Sequence, residues 1–81
     1  MSDNLTLYKN AFADSFDSID ETTIIEELAY GSIQEWDSVG HMGLIAALEE
    51  TFNIEMEMDD VIDFSSFDKG KEILARYDIS F

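Results

Sequence analysis

Ser38 is the residue of this chain best suited to start a reaction. It sits in Asp37-Ser38-Val39-Gly40-His41, so a carboxylate, a hydroxyl and an imidazole lie close together. On a helix, Ser38 and His41 are three residues apart and share a face. Hydroxyl plus imidazole suggests acyl transfer. A hydrolase, however, also needs a carboxylate on the far imidazole nitrogen, an oxyanion hole and a substrate cleft. The turn that presents such a serine reads Gly-x-Ser-x-Gly; Gly40 fits it, but position 36 is Trp36. The expectation is a protein that is not an enzyme, with His41 packed and bonding the neighbouring loop. Ser38 is then a displayed hydroxyl, unless Asp37-Ser38 is simply a helix N-cap pair.

Other reactive groups are scarce. The chain has no cysteine, which removes disulfides, zinc-thiolate sites and a thiol nucleophile. Thiol chemistry would need a borrowed group. The acids Glu55, Glu57, Asp59, Asp60 and Asp63 lack the central glycine and late glutamate of a calcium loop, so no metal site is expected.

Four basic against nineteen acidic residues give a formal charge of −15, and sixteen of those acids lie between Lys9 and Lys69, where no Lys or Arg occurs. A field of that sign repels phosphate backbones and anionic headgroups and favours proteins with basic patches. Nucleic acid and membrane insertion are therefore poor expectations, and like-charge repulsion predicts a monomer. An acidic interaction or inhibitor protein occupying a basic site on its target would need this charge but not Ser38.

The elements that must position Ser38 follow from spacing. At 81 residues and 9.2 kDa, with 46% hydrophobic residues, the chain is one domain, residues 1–81, and too apolar to be a disordered tail. Leu5, Tyr8, Phe12 and Phe16 recur at helical steps and predict a first helix over residues 4–17, with Asp3 or Asn4 as cap. Residues 17–36 follow no sustained period. They predict a long loop anchored by Ile19, Ile24, Ile25, Leu28, Ile33 and Trp36, with a turn of helix around 22–28. In residues 38–52, His41, Leu44, Ile45, Leu48 and Phe52 fall within one arc of a helical wheel and predict a core-facing stripe. Beside it lies a second apolar set, Val39, Met42 and Ala46, with Glu49 and Glu50 nearby. Apolar spots rimmed by carboxylates suit a docking face.

Residues 53–58 read as a loop. Asp59-Asp60 can start a short helix through Val61, Ile62 and Phe64, and Ser65 or Ser66 then caps a last helix with Phe67, Gly70, Ile73, Leu74 and Tyr77 inward. Met42, Met56 and Met58, beside Val61 and Ile62, predict an adaptable wall where the second and short helices meet. The fold expected is all-α, a small bundle of three main helices plus one short helix, with a long loop between helices one and two. The opening Met1-Ser2-Asp3-Asn4 has neither the basic stretch nor the apolar run of a leader, and no apolar run approaches a membrane span. A soluble, cytoplasmic protein is expected.

Glu35-Trp36-Asp37-Ser38-Val39-Gly40-His41-Met42 resembles the serine motif of acyl and peptidyl carrier proteins, an Asp-Ser followed by an apolar residue at a helix start. The likeness extends through Leu44-Ile45-Ala46-Ala47-Leu48-Glu49-Glu50-Thr51-Phe52-Asn53-Ile54, which looks like that family's central helix, and covers about residues 4–77. The resemblance implies that Ser38 receives 4′-phosphopantetheine from coenzyme A through a phosphopantetheinyl transferase and then carries acyl or aminoacyl groups as thioesters. That borrowed arm would supply the thiol the chain lacks. The resemblance leaves Asp37 either capping the helix or helping to position the transferase's metal-bound cofactor. Partners implied are that transferase and an acyl- or aminoacyl-activating ligase, acyltransferase or ketosynthase with basic docking patches, met by Val39, Met42, Glu49, Glu50, Met58 and Val61. Trp36 stands where many carriers have a small or aliphatic residue, Val39 replaces the usual leucine, and Gly43, Met58 and Ile62 stand where fatty-acid carriers often have acids or other polar groups. The Trp-Asp-Ser-x-x-His form looks more like a specialised stand-alone carrier.

Overall fold

A computed structural model describes residues 3–81. Met1 and Ser2, the start of the segment read above for a leader, lie outside the described residues. Among the described residues four α-helices run in order: α1 (Asn4–Ser15), α2 (Ser38–Phe52), α3 (Met58–Asp63) and α4 (Phe67–Ala75), with one 3-10 turn at Ile25–Glu27. The all-α architecture of three longer helices and one short one is as expected. Among the described residues there is no strand, and no helix is long and apolar enough to cross a membrane.

α1 ends two residues earlier than its apolar spacing suggested, because Phe16 turns to extended backbone at φ −127° and ψ 111°. Neither proposed cap acts through its side chain as an N-cap: Asp3 offers only its carbonyl to the Leu7 amide, and Asn4, already helical, donates its side-chain amide to the Ser80 carbonyl. Tyr8, Ala11, Phe12 and Phe16 are buried, whereas Leu5 is exposed, which corrects its place in the inward stripe.

The buried centre is aromatic. Tyr8 packs its ring 4.5 Å from Phe67 and 5.1 Å from Phe12, and its hydroxyl donates to the Phe67 carbonyl at 2.7 Å, so the one polar atom is satisfied. Burial, then the negative charge of Asp68, pushes the Tyr8 phenol far above its ordinary pKa. Gly70 is what lets α4 approach: a Cβ there would lie 2.1 Å from the Tyr8 hydroxyl and 2.3 Å from the Phe64 ring. Ser66, one of the two expected caps, accepts from the Lys69 amide at 3.0 Å.

Residues 16–37 form an ordered loop despite lacking a period. Ser18 donates its amide to Glu35 at 2.9 Å, which ties the two ends of the loop together. Midway, the Tyr30 amide donates to the Ser65 carbonyl and the Phe67 amide to the Leu28 carbonyl, an isolated antiparallel bridge that stitches the loop to the α3–α4 junction. Leu28 and Trp36 are buried anchors and Ile19, Ile25 and Ile33 pack partly. Ile24 is exposed and anchors nothing. The helical turn is confined to three residues inside the expected 22–28 window.

Candidate functional site

Sequence forces α2 to begin at Ser38. Asp37 is extended, its Oδ1 accepts from the Gly40 amide at 2.8 Å, and its carbonyl accepts from the His41 amide at 2.7 Å. That is the geometry of an N-cap. Gly40 is equally necessary, because a Cβ at that position would sit 1.8 Å from the Glu35 carbonyl oxygen and 3.1 Å from the Phe16 ring. Without a side chain there, the loop can cross tightly against the first turn. Ser38 therefore stands on that turn, exposed, and its hydroxyl takes no hydrogen-bond partner among the described residues. The opening amides of any helix lack a carbonyl four residues back and carry partial positive charge.

Next to Ser38 lies an apolar cleft of about 430 Å³ between α2 and α3. Met42, Met58 and Ile62 form its sides, and Val61 and Phe64 lie deeper, while Ser38, Tyr30, Ser65 and His41 complete the lining. Of the expected methionine wall, Met42 and Met58 are present and Met56 is not, since Met56 packs against the core. α3 starts one residue before the expected Asp59-Asp60 pair, at Met58, which places Met58 on the cleft instead of in the loop.

The proposed docking residues divide by exposure. Val39 is 81% exposed, Met58 68% and Met42 54%, and Glu50 is also exposed. Val61 is only 8% exposed and floors the cleft, so it offers little to a partner from outside. Glu49 is half-buried and accepts from the Met56 amide at 2.9 Å, which holds the loop after α2. Its carboxylate thus has a structural bond as well as a charge. Asn53 closes α2 in the left-handed conformation at φ 54°, with the Ile54 amide returned to the Glu49 carbonyl.

His41 is packed, and both ring nitrogens are used. Trp36 Nε1 donates to His41 Nδ1 at 2.9 Å, and His41 Nε2 lies 2.8 Å from the Val61 carbonyl. An indole N–H can only donate and a carbonyl can only accept, so the ring is neutral with its proton on Nε2. It bonds the loop, as expected, and α3 as well. A histidine committed in this way has no nitrogen left to activate Ser38. Its ring lies within 5.7 Å of Tyr30 and 6.1 Å of Phe64, centroid to centroid.

Away from the cleft, Glu57, Asp59, Asp60 and Asp63 meet Arg76 and Tyr77. Arg76 pairs with Asp60 at 2.8 Å, and Tyr77 donates to the same carboxylate while accepting from the Glu57 amide. Desolvation, then the Asp60 bond, raises the Tyr77 phenol. Among the described residues no three His, Cys, Asp or Glu side chains are arranged to hold a metal ion.

Tyr30, Phe64 and Ser65 were not anticipated in the cleft. Tyr30 lies in an aperiodic loop and reaches the site only through the bridge to Ser65, which no local pattern announces. A buried-type Trp36 five residues before His41 was a readable donor–acceptor pair, although its second partner, a backbone carbonyl, leaves no trace in sequence. Compared with protein-family models, with curated proteins and with solved structures, the chain matches none.

Proposed function

We propose that the chain is an acyl carrier module, modified on Ser38 with 4′-phosphopantetheine and passing acyl or aminoacyl groups between partner enzymes in the cytoplasm as a monomer. The observation that carries the reading is the pairing of a free, exposed serine hydroxyl on the first turn of α2 with an apolar cleft whose lining includes that same serine. The residue types fit the group. In the loading step Ser38 Oγ bonds to the phosphorus of the phosphopantetheine unit, the pyrophosphate bond of coenzyme A breaks, adenosine 3′,5′-bisphosphate leaves, and the hydroxyl proton passes to a base of the transferase. When bound, the arm supplies the thiol that holds cargo as a thioester.

The chain's own residues do the rest. Asp37 fixes the start of α2 and so the direction in which Ser38 is displayed; only its Oδ1 is engaged in the cap. The helix start favours the negative phosphodiester formed there. Val39, Met42, Met58 and Glu50 make an outward face of apolar spots among acids, suited to basic docking patches on the transferase and on a ligase, acyltransferase or ketosynthase. With both nitrogens occupied, His41 supports the reading of a substrate for enzymes, not an enzyme.

Incubation with coenzyme A, magnesium and a promiscuous phosphopantetheinyl transferase, followed by intact-mass measurement, tests this directly. One phosphopantetheine should be added to the native chain and none to Ser38→Ala. An unmodified native chain would refute the proposal.

A further inference from the structure

We propose that His41 is the positioning residue of the cleft, holding α3 at a set distance from the helix that displays Ser38. α3 has only six residues and no side-chain N-cap. Its last carbonyls have no partner within the helix, which is the general condition of helix ends, and the Val61 carbonyl is one of them. His41 Nε2–H fills that place at 2.8 Å. Among the described residues this is the one polar bond between α2 and α3. The remaining polar ties of α3 run the other way: Asp60 to Arg76 and Tyr77, and the Glu57 amide to Tyr77.

The other ring nitrogen sets the orientation of the imidazole. Trp36 is fully buried and donates to Nδ1, and the two ring planes are within 15° of parallel. Phe64 and Tyr30 close on the ring edge-to-face. An imidazole held in this way can present its Nε2 proton in only one direction, toward α3. The chain of positions therefore runs from the loop (Trp36) through α2 (His41) to the deep side of the cleft (Val61). An apolar residue at 41 could fill the space but would leave a buried indole N–H and the Val61 carbonyl unpaired. The role assigned to the cleft rests on the carrier reading; the bond geometry does not.

Two substitutions separate the halves of the imidazole. His41→Asn places an acceptor near Nδ1 and keeps the Trp36 bond, whereas His41→Gln places a donor near Nε2 and keeps the Val61 bond. In the unmodified protein, amide exchange in α3 should rise about tenfold in the Asn variant relative to the Gln variant, the ratio expected for one net hydrogen bond, with α1 unchanged between them. Equal exchange in α3, or a difference spread evenly over all helices, would overturn the proposal. A measurement on the native chain stands behind the variants should either fail to fold. The N–H···N bond should give a scalar coupling between Trp36 Nε1 and His41 Nδ1, with the His41 proton on Nε2; the other tautomer or no coupling would overturn it. Finally, each variant is loaded from octanoyl-coenzyme A by a promiscuous transferase and treated with hydroxylamine. Thioester cleavage should be several-fold faster in the Asn variant than in the Gln variant. Loading that fails in every protein counts against the carrier reading and leaves the exchange contrast in force. Normal loading with equal cleavage counts against His41.

Discussion

The two ends of this bundle are built to opposite standards. Where α1 meets α4, Tyr8, Phe12, Phe64 and Phe67 are all but inaccessible, the one phenol is satisfied, and a single Cβ at Gly70 would collide with two rings. Where α2 meets α3, Val39, Met42, Met58 and Ile62 are more than half exposed, and a Cβ at Gly43 would meet nothing within 4 Å. The hydrophobic effect alone would cover the second end as it covers the first. Its apolar side chains stay open beside Ser38, the residue proposed above for modification. Tight packing is concentrated at one end, and the other is the end that the carrier proposal assigns to cargo and partners.

Substitutions that treat the two ends alike should break this contrast. The largest effect is expected from Gly70→Ala, which forces a methyl group into the aromatic centre and should lower stability by about 3 kcal/mol, the upper part of the usual overpacking range. A urea midpoint near the native value would show that end to be looser than described. Trp36→Phe keeps most of the ring but removes the donor to His41 Nδ1, at an expected loss of about 1–3 kcal/mol for an unpaired buried acceptor. Gly43→Ala, by contrast, should raise stability by about 0.5–1 kcal/mol, the ordinary gain for a glycine inside an exposed helix face. The opposite signs at two glycines of one small protein are the sharpest form of the comparison.

Smaller changes at the open end should be functional. Met58→Asp should move stability by no more than about 0.5 kcal/mol yet slow transfer to partners, as measured by loading rate. Glu50→Lys should slow loading more at low salt than at high salt, as steering requires; equal slowing would contradict it. Glu50 is the better choice than Glu49, whose reversal would also release the Met56 amide.

The smallest effect concerns the loop. Its hydrogen bond from Ser18 holds the Glu35 carboxyl below the usual carboxylate range. A depressed folded-state value means a stabilising contribution present above the unfolded pKa and lost as pH falls through the folded one. Glu35→Gln should therefore lower Tm slightly at neutral pH, with the difference closing in acid. A gap that widened in acid would reverse the assignment.

Periodicity made the helices legible. Tyr8, Phe12 and Phe16 marked α1, and His41, Leu44, Ile45 and Leu48 marked the buried stripe of α2, because a repeat near 3.6 residues leaves a direct imprint on residue type. Leu5 misled for the same reason, because an apolar residue at the right step is not thereby buried, and Ile24 misled in the aperiodic loop, where apolar character was the only guide. Ser38 and Asp37 could be singled out from their neighbours alone, since a cap is a local device. The cleft could be read only in part. Met42, Met58, Val61 and Ile62 announced themselves as an apolar group, but Tyr30 and Ser65 enter through a long-range backbone bond that any residue pair could make, and the Val61 carbonyl, which meets the His41 ring, carries no residue identity. The burial of Val61 and the bond made by Glu49 were likewise out of reach, because both depend on where α3 comes to rest.

The central claim concerns one oxygen atom, Ser38 Oγ, and is tested most directly by mass. After treatment with coenzyme A and a broadly acting transferase, peptide-level mass spectrometry should place a single phosphopantetheine on Ser38, with the Ser38→Ala protein unchanged and equally folded. A native chain that remains at its starting mass while a known carrier in the same reaction is converted would contradict the account.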